Sequence, residues 1–170
     1  MEGSYLIMII RHLEEKDNRA IEKVIRDCLI EFGGNREGLA WADPSLSRLY
    51  DYYNQEGRAY WVIEQEGEVV GGCGIAPFAE RKDICELQKM YLLPQVRGTG
   101  TAAELLDIAI RFAERHYRKC YIETLSNMHA ANRFYVKHGF QRLAAPLEGS
   151  EHFACDVWYL KSLGQIGTTD

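Results

Sequence analysis

Apolar positions along the chain switch between a spacing of two and a spacing of three to four, and each switch marks an element. Residues 5–12 are apolar and β-branched and run into Leu13-Glu14-Glu15-Lys16-Asp17, which predicts a strand followed by a helix with Asp17 as its N-cap. Ile21, Val24, Ile25, Cys28, Leu29 and Phe32 then share one helical face, and Gly33-Gly34 stops that helix. After an irregular stretch over 35–42, Asp43-Pro44 supplies a cap and a first-turn proline for a second helix carrying Leu46, Leu49, Tyr50 and Tyr53, closed by Gly57.

Residues 60–65 and 68–76 are extended runs around Glu66-Gly67, whose glycine suits the positive φ of a two-residue hairpin turn, so the two runs pair antiparallel. A polar connection over 77–83 leads to a long strand over 84–93, ended by Pro94. Ala102, Leu105, Leu106, Ala109, Ile110 and Ala113 give a helix over 99–116, and residues 119–125 read as the next strand. Strand, helix and strand in this order make a parallel pair. A short helix over 128–138, stopped by Gly139, and strands over 140–143 and 153–160 complete the pattern. No repeat or low-complexity linker divides these elements, which predicts a single α/β (mixed α+β) domain over 1–170 with a polar tail from about residue 163.

Composition narrows the function classes. A chain with 46% hydrophobic and 26% charged residues buries a core instead of staying disordered. The longest apolar run, residues 5–10, falls far short of the ~20 residues that cross a bilayer. It gives way to Arg11-His12 instead of a small-residue cleavage site, so the expectation is a cytoplasmic protein without membrane contact. The 25 acidic and 20 basic residues leave no clustered basic surface for nucleic acid, and the net charge of −5 favours a small molecule or a cationic partner. Cys28, Cys73, Cys85, Cys120 and Cys155 are scattered without a CxxC pair and read as reduced, mostly buried thiols. The five histidines show no HExxH-like spacing, so no metal is expected.

The stretch with chemical content is Leu93-Pro94-Gln95-Val96-Arg97-Gly98-Thr99-Gly100-Thr101-Ala102-Ala103, between a strand and a helix start. Small residues let a ligand approach the backbone, and the N–H groups of the helix N-terminus, helped by the dipole and Arg97, suit a pyrophosphate. On glycines alone the stretch reads equally as a tight turn with no ligand. Gly98-x-Gly100-x-x-Ala103 also approximates a dinucleotide fingerprint, with Glu123 as the ribose-binding acid of an NAD-dependent oxidoreductase. That alternative fits poorly, because the unit lies behind an antiparallel hairpin instead of opening a doubly wound sheet.

In order along the chain, Ile10-Arg11 with Asp17, Arg97-x-x-Gly100-x-Ala102 after a strand and proline, and Ala131-x-x-Phe134-Tyr135-x-x-x-Gly139-Phe140 resemble the GNAT superfamily of acetyl-CoA-dependent N-acetyltransferases. The resemblance implies a mixed, mostly antiparallel sheet with one splayed parallel pair flanked by helices, and acetyl-CoA as co-substrate. It implies that the backbone of Arg97, Gly98, Thr99, Gly100, Thr101 and Ala102 holds the pyrophosphate, and that the strand at Met90, Tyr91 and Leu92 receives the pantetheine arm. Where the family often has a cofactor-contacting Asn, this chain has Met128, so Asn127 and Asn132 become the candidates.

The same resemblance makes Tyr135 the general acid toward the leaving thiolate, against a reading of Tyr135 as core packing. Strand alternation puts Glu86, Gln88, Met90 and Leu92 on one face, and the resemblance makes Glu86 the candidate general base, directly or through water, against a reading of Glu86 as a solvated or ion-paired strand residue near Lys89. Cys155, with His152 and Asp156, would approach the acetyl group from the last strand, where buried packing is favoured over an acyl-enzyme. The acceptor pocket is expected from 33–42 and 77–83, with Trp41, Arg36, Phe78 and Glu80 as candidate lining residues. Its substrate would be an amine of a small molecule or protein. A homodimer is a family habit, and a non-catalytic acyl-CoA sensor is the alternative to an enzyme.

Overall fold

The computed structural model describes residues 7–164, so Tyr5 and Leu6 of the first expected strand and most of the expected tail lie outside it. Among the described residues seven strands form one sheet: β1 (Met8–His12), β2 (Ala59–Gln65), β3 (Glu68–Pro77), β4 (Ile84–Leu92), β5 (Lys119–Thr124), β6 (Gln141–Leu143) and β7 (Val157–Ser162). Their spatial order is β1-β2-β3-β4-β5-β7-β6. The helices are α1 (Asn18–Glu31), α2 (Leu49–Tyr53), α3 (Thr101–His116) and α4 (His129–Lys137). The β2–β3 hairpin turns through Glu66 and Gly67, both at positive φ (53° and 81°), the geometry that matches strand twist in a two-residue loop.

Every pairing is antiparallel except β4 with β5, which meet only from Ile84 to Glu86 against Lys119 to Tyr121. Beyond Glu86 the two strands run on unpaired with each other, and the sheet opens there. Alternation along β2 sends Trp61 and Ile63 to the α3 side, with Leu105, Leu106, Ala109 and Ala113. It sends Tyr60 and Val62 to the α1–α2 side, with Ile21, Ile25, Leu29 and Leu49. Helices thus cover both faces, and the apolar spacing of α1 and α3 supplies the stripes they bury.

Local readings are corrected at four places. Asp17 does not cap α1 through its side chain; its carboxylate takes a bidentate pair from Arg11 (2.7 and 2.9 Å) and the Glu14 N–H (2.8 Å), because a neighbouring guanidinium binds it more strongly than one orphan amide would. The second helix breaks at Arg48 (φ −145°) into a 3₁₀ turn, Pro44–Ser47, and the single-turn α2. Residues 153–156 are loop, with Phe153 exposed, and β7 starts at Val157. Strict alternation fails on β4, where Lys89 and Met90 together oppose Cys73 and Lys89 adopts φ 47°. This bulge leaves Glu86 and Gln88 opposite Ala76 and Gly74, and turns Met90 and Leu92 toward the α3 side with Cys85 and Leu87.

Candidate active site

The opening between β4 and β5 carries three adjoining cavities. The first, about 260 Å³ and almost wholly apolar, lies between α1, β4, the α3 N-terminus and α4, lined by Cys28, Phe32, Met90, Leu92, Ala131 and Tyr135 among others. The second is small, about 50 Å³, and shares Tyr91 and Met128 with the first. It shares Glu86, Gln88, Lys89, Glu123 and His152 with the third, a polar pocket of about 400 Å³ that reaches Phe78 and Glu80.

At the mouth of the apolar cavity the turn into α3 places Gly98 (φ 74°) and Gly100 (φ 87°) in the left-handed region, with nothing within 4 Å of a Cβ at either, so these glycines answer to backbone conformation and not to crowding. Gly100 is the N-cap of α3 and no side chain caps it. Among the described residues, the N–H groups of Gly98, Thr99, Gly100, Ala102 and Ala103 donate to no protein acceptor. A row of free N–H groups on open glycine backbone at a helix N-terminus suits a phosphate. Arg97 contributes less charge here than its position suggests: it grips the Leu92 carbonyl (2.8 Å) and is neutralised by Glu31 (2.7 and 2.9 Å), whose α1 it ties to the turn. Thr101 is buried and donates toward Met8 Sδ, a structural contact.

Tyr135 is buried against Phe134, Phe140 and Tyr159 and lines the apolar cavity, with no protein hydrogen bond to its hydroxyl among the described residues. Burial lifts its pKa well above the usual phenol value, which keeps it a proton donor. Asn127 and Asn132 line none of the three cavities: Asn127 donates to the Phe32 carbonyl beyond α1 (2.8 Å), and Asn132 donates to Leu125 and Met128 carbonyls and accepts from Tyr159 (2.7 Å). Met128, Ala130 and Ala131 line the apolar cavity from that side.

The polar side is a connected network. Tyr53 donates to Gln88 Oε1 (2.7 Å), and Gln88 Nε2 donates to Glu86 Oε1 (2.7 Å). Glu86 is 9% exposed, and burial raises its pKa to about 7; the Gln88 bond opposes the rise and Glu123 adds to it. Glu123 accepts from Tyr121 (2.9 Å), and its other oxygen stands 3.9 Å from His152 Nδ1. Asp43 holds His152 Nε2 (2.9 Å) and the Lys89 ammonium (2.8 Å). Burial works to lower the His152 pKa, but the Asp43 carboxylate more than offsets it and the value rises. Burial raises the Cys155 thiol to about 12, so it stays protonated.

Of the acceptor candidates, Phe78 and Glu80 line the polar pocket and Cys155 the small cavity, as do Leu39 and Ala40 of the irregular segment. Trp41 and Arg36 line none of these three cavities; Trp41 sits under the Arg26 guanidinium (4.6 Å). Asp43 and Lys89 join the site unforeseen as a pair, since 46 residues separate them and only the fold brings them together. Glu123 faces the polar cavities and not the glycine turn, and the sheet has a single parallel pair, so the dinucleotide reading fails on both its acid and its topology.

Residues 20–140 match the acetyltransferase (GNAT) family model. The Escherichia coli (strain K12) protein described as an uncharacterized N-acetyltransferase, YjgM, is 44% identical over 158 residues, covering 91% of this chain and 95% of its own length. The fold is shared with an acetyltransferase of the GNAT family from Staphylococcus aureus Mu50 (TM-score 0.81, 20% identity, 93% of this chain and 100% of that one). It is shared also with the PaiA N-acetyltransferase of Thermoplasma acidophilum in complex with coenzyme A (TM-score 0.70, 14% identity, 92% and 99%). With a family match over most of its length and a relative 44% identical over 91% of it, the chain belongs to the acetyltransferase (GNAT) family and is an N-acetyltransferase.

Proposed function

We propose that this enzyme transfers an acetyl group from acetyl-CoA to an amine of a small molecule or protein by direct attack while both substrates are bound. The observation that carries the reading is the run of cavities through the opened sheet, apolar at the Tyr135 end and acidic at the Glu123 end, with Glu86 lining both of the polar ones. The described residues fit coenzyme A: the free N–H groups of Gly98, Thr99, Gly100, Ala102 and Ala103 suit an anion, and the apolar cavity beside Met90 and Leu92 accepts a slender chain. Bound there, acetyl-CoA would supply a thioester carbonyl for attack and a thiolate to leave.

The chain's own groups divide the proton work. Arg48, Arg58 and Lys89 also line the polar pocket, and with Asp43 paired to Lys89 it is Glu86, Glu123 and Glu151 that are left to meet a cationic amine. Glu86, with a pKa of about 7, accepts the proton the amine must lose, a poise suited to neutral pH. Tyr135 donates its phenolic proton on the apolar side. Cys155 stays a thiol and takes no acyl group. The test is thiol release from acetyl-CoA across a panel of small amines and amine-bearing peptides. Release with at least one acceptor is the expected result. Thermal stabilisation by coenzyme A without release for any acceptor would overturn the reading in favour of a sensor.

A further inference from the structure

The polar cavities bring together side chains that the transfer reaction does not account for. Glu123 on β5 and His152 and Cys155 in the loop before β7 place a carboxylate oxygen, Nδ1 and Sγ all within 4.8 Å of one another. The Glu123 side chain is 2% exposed, and its Oε2 has no hydrogen-bond partner among the described residues while Oε1 accepts from Tyr121. The 3.9 Å between Oε2 and His152 Nδ1 is too long for a hydrogen bond. Ligands at about 2.1–2.3 Å on a tetrahedral ion stand about 3.4–3.6 Å apart, so the Glu123–His152 pair needs about half an ångström of closure and the Cys155 sulfur, within 4.8 Å of both, at most about 1.2 Å.

We propose that Glu123, His152 and Cys155 form a binding site for a zinc ion. Three features support it beyond proximity. Asp43 engages His152 Nε2 at 2.9 Å, which assigns the proton to that nitrogen in the neutral ring and leaves the Nδ1 lone pair facing Glu123, the carboxylate–histidine arrangement that orients metal-ligating imidazoles. The loop is held: the Cys155 N–H donates to the His152 carbonyl, the Ala154 N–H to Gly38, and Asp156 anchors to Ser126 through backbone and hydroxyl. The small cavity that Glu86, Glu123, His152 and Cys155 line, about 50 Å³, has room for an ion and a water. One carboxylate, one imidazole and one thiolate make a set that suits zinc over magnesium or calcium.

On binding, the Cys155 S–H bond breaks, the sulfur pair goes to the metal and the proton leaves to solvent; a water or Glu86 takes the fourth position. Zinc would stand where the proposed amine stands, but its binding does not depend on the transfer reading. The test uses tag-free protein loaded with Zn²⁺, desalted and assayed for metal, and in parallel Co²⁺ as a spectroscopic probe. One retained equivalent, with a thiolate-to-cobalt absorption band that Cys155→Ser abolishes, is the expected result. Glu123→Gln, which keeps its shape and its bond to Tyr121, loses the retained metal, and Asp43→Asn weakens binding about 10–100-fold. No metal retained by the wild type, or equal retention by Cys155→Ser and Glu123→Gln, would overturn the proposal.

Discussion

Glu86→Gln isolates the charge of Glu86 from its shape, since the amide fits the same space and still accepts from Gln88 Nε2. Burial is the main reason the carboxyl has moved from 4.5 to about 7, and at 9% exposure little solvent screens it. Each tenfold change in proton affinity corresponds to ~1.4 kcal/mol, so the folded protein forgoes about 3 kcal/mol once this group is ionised in both folded and unfolded states. Because the folded-state pKa is the higher one, bound proton favours the fold. This contribution to stability is fully present below about pH 4.5, declines as the pH rises, and levels off above about 7. Glu86→Gln is therefore nearly neutral near pH 4.5 and stabilises by about 3 kcal/mol near pH 8 in urea unfolding. The same titration governs the proposed base: wild-type kcat/KM climbs about tenfold per pH unit up to about 7, and the variant is roughly 100-fold or more slower without that limb. An equal stability difference at both pH values would refute the burial argument. A variant that keeps the wild-type acid limb would exclude Glu86 as the base.

Tyr135→Phe keeps the packing against Phe140 and Tyr159 and removes only the proton donor, so kcat falls about 100-fold with KM for acetyl-CoA little changed; steady-state kinetics with unaltered turnover would remove Tyr135 from the mechanism. Gly100→Ala meets no neighbour but forces a left-handed alanine, which costs about 1–2 kcal/mol in denaturant unfolding and weakens coenzyme A by shifting the α3 N-terminus; unchanged stability would mean the turn relaxes freely. Asp43→Asn leaves burial as the main influence on His152, so its proton NMR titration moves from above 6.5 in the wild type to below it, and an unmoved midpoint would show that Asp43 does not set its charge.

The fold was legible where the information is local. Apolar spacing gave α1 and α3, Glu66-Gly67 gave the hairpin, and strand–helix–strand gave the one parallel pair. The glycine turn was legible for the same reason, since its chemistry lies in consecutive backbone amides. Readings failed where a partner outside the element decides: Arg11 of β1 claims Asp17, and Asp156, bound to Ser126, fastens the loop that was expected to be strand. The polar half of the site was hidden more thoroughly. Asp43, Glu86 with Lys89, Glu123 and His152 come from four separate stretches, and no sequence period connects groups whose only relation is a shared cavity.

The bulge on β4 shows how one residue joins the two halves. A lysine at φ 47° costs about 1–2 kcal/mol of backbone strain, and nothing in the side chain favours it. What sustains it is tertiary: the Lys89 ammonium, 5% exposed, pairs with Asp43, and the Lys89 carbonyl accepts from Tyr60 (2.9 Å). Once the ammonium is buried, losing Asp43 would leave it without a counter-charge, so the pair and the bulge are kept together. The extra residue inverts the facing of everything after it, keeping Glu86 and Gln88 in the polar network while Met90 and Leu92 turn into apolar surroundings. With regular alternation, Met90 and Leu92 would crowd onto the face of Glu86 and the apolar cavity would lose that wall. The separation of a proton acceptor from an apolar cavity along a single strand thus rests on an ion pair with Asp43, the same carboxylate that orients His152.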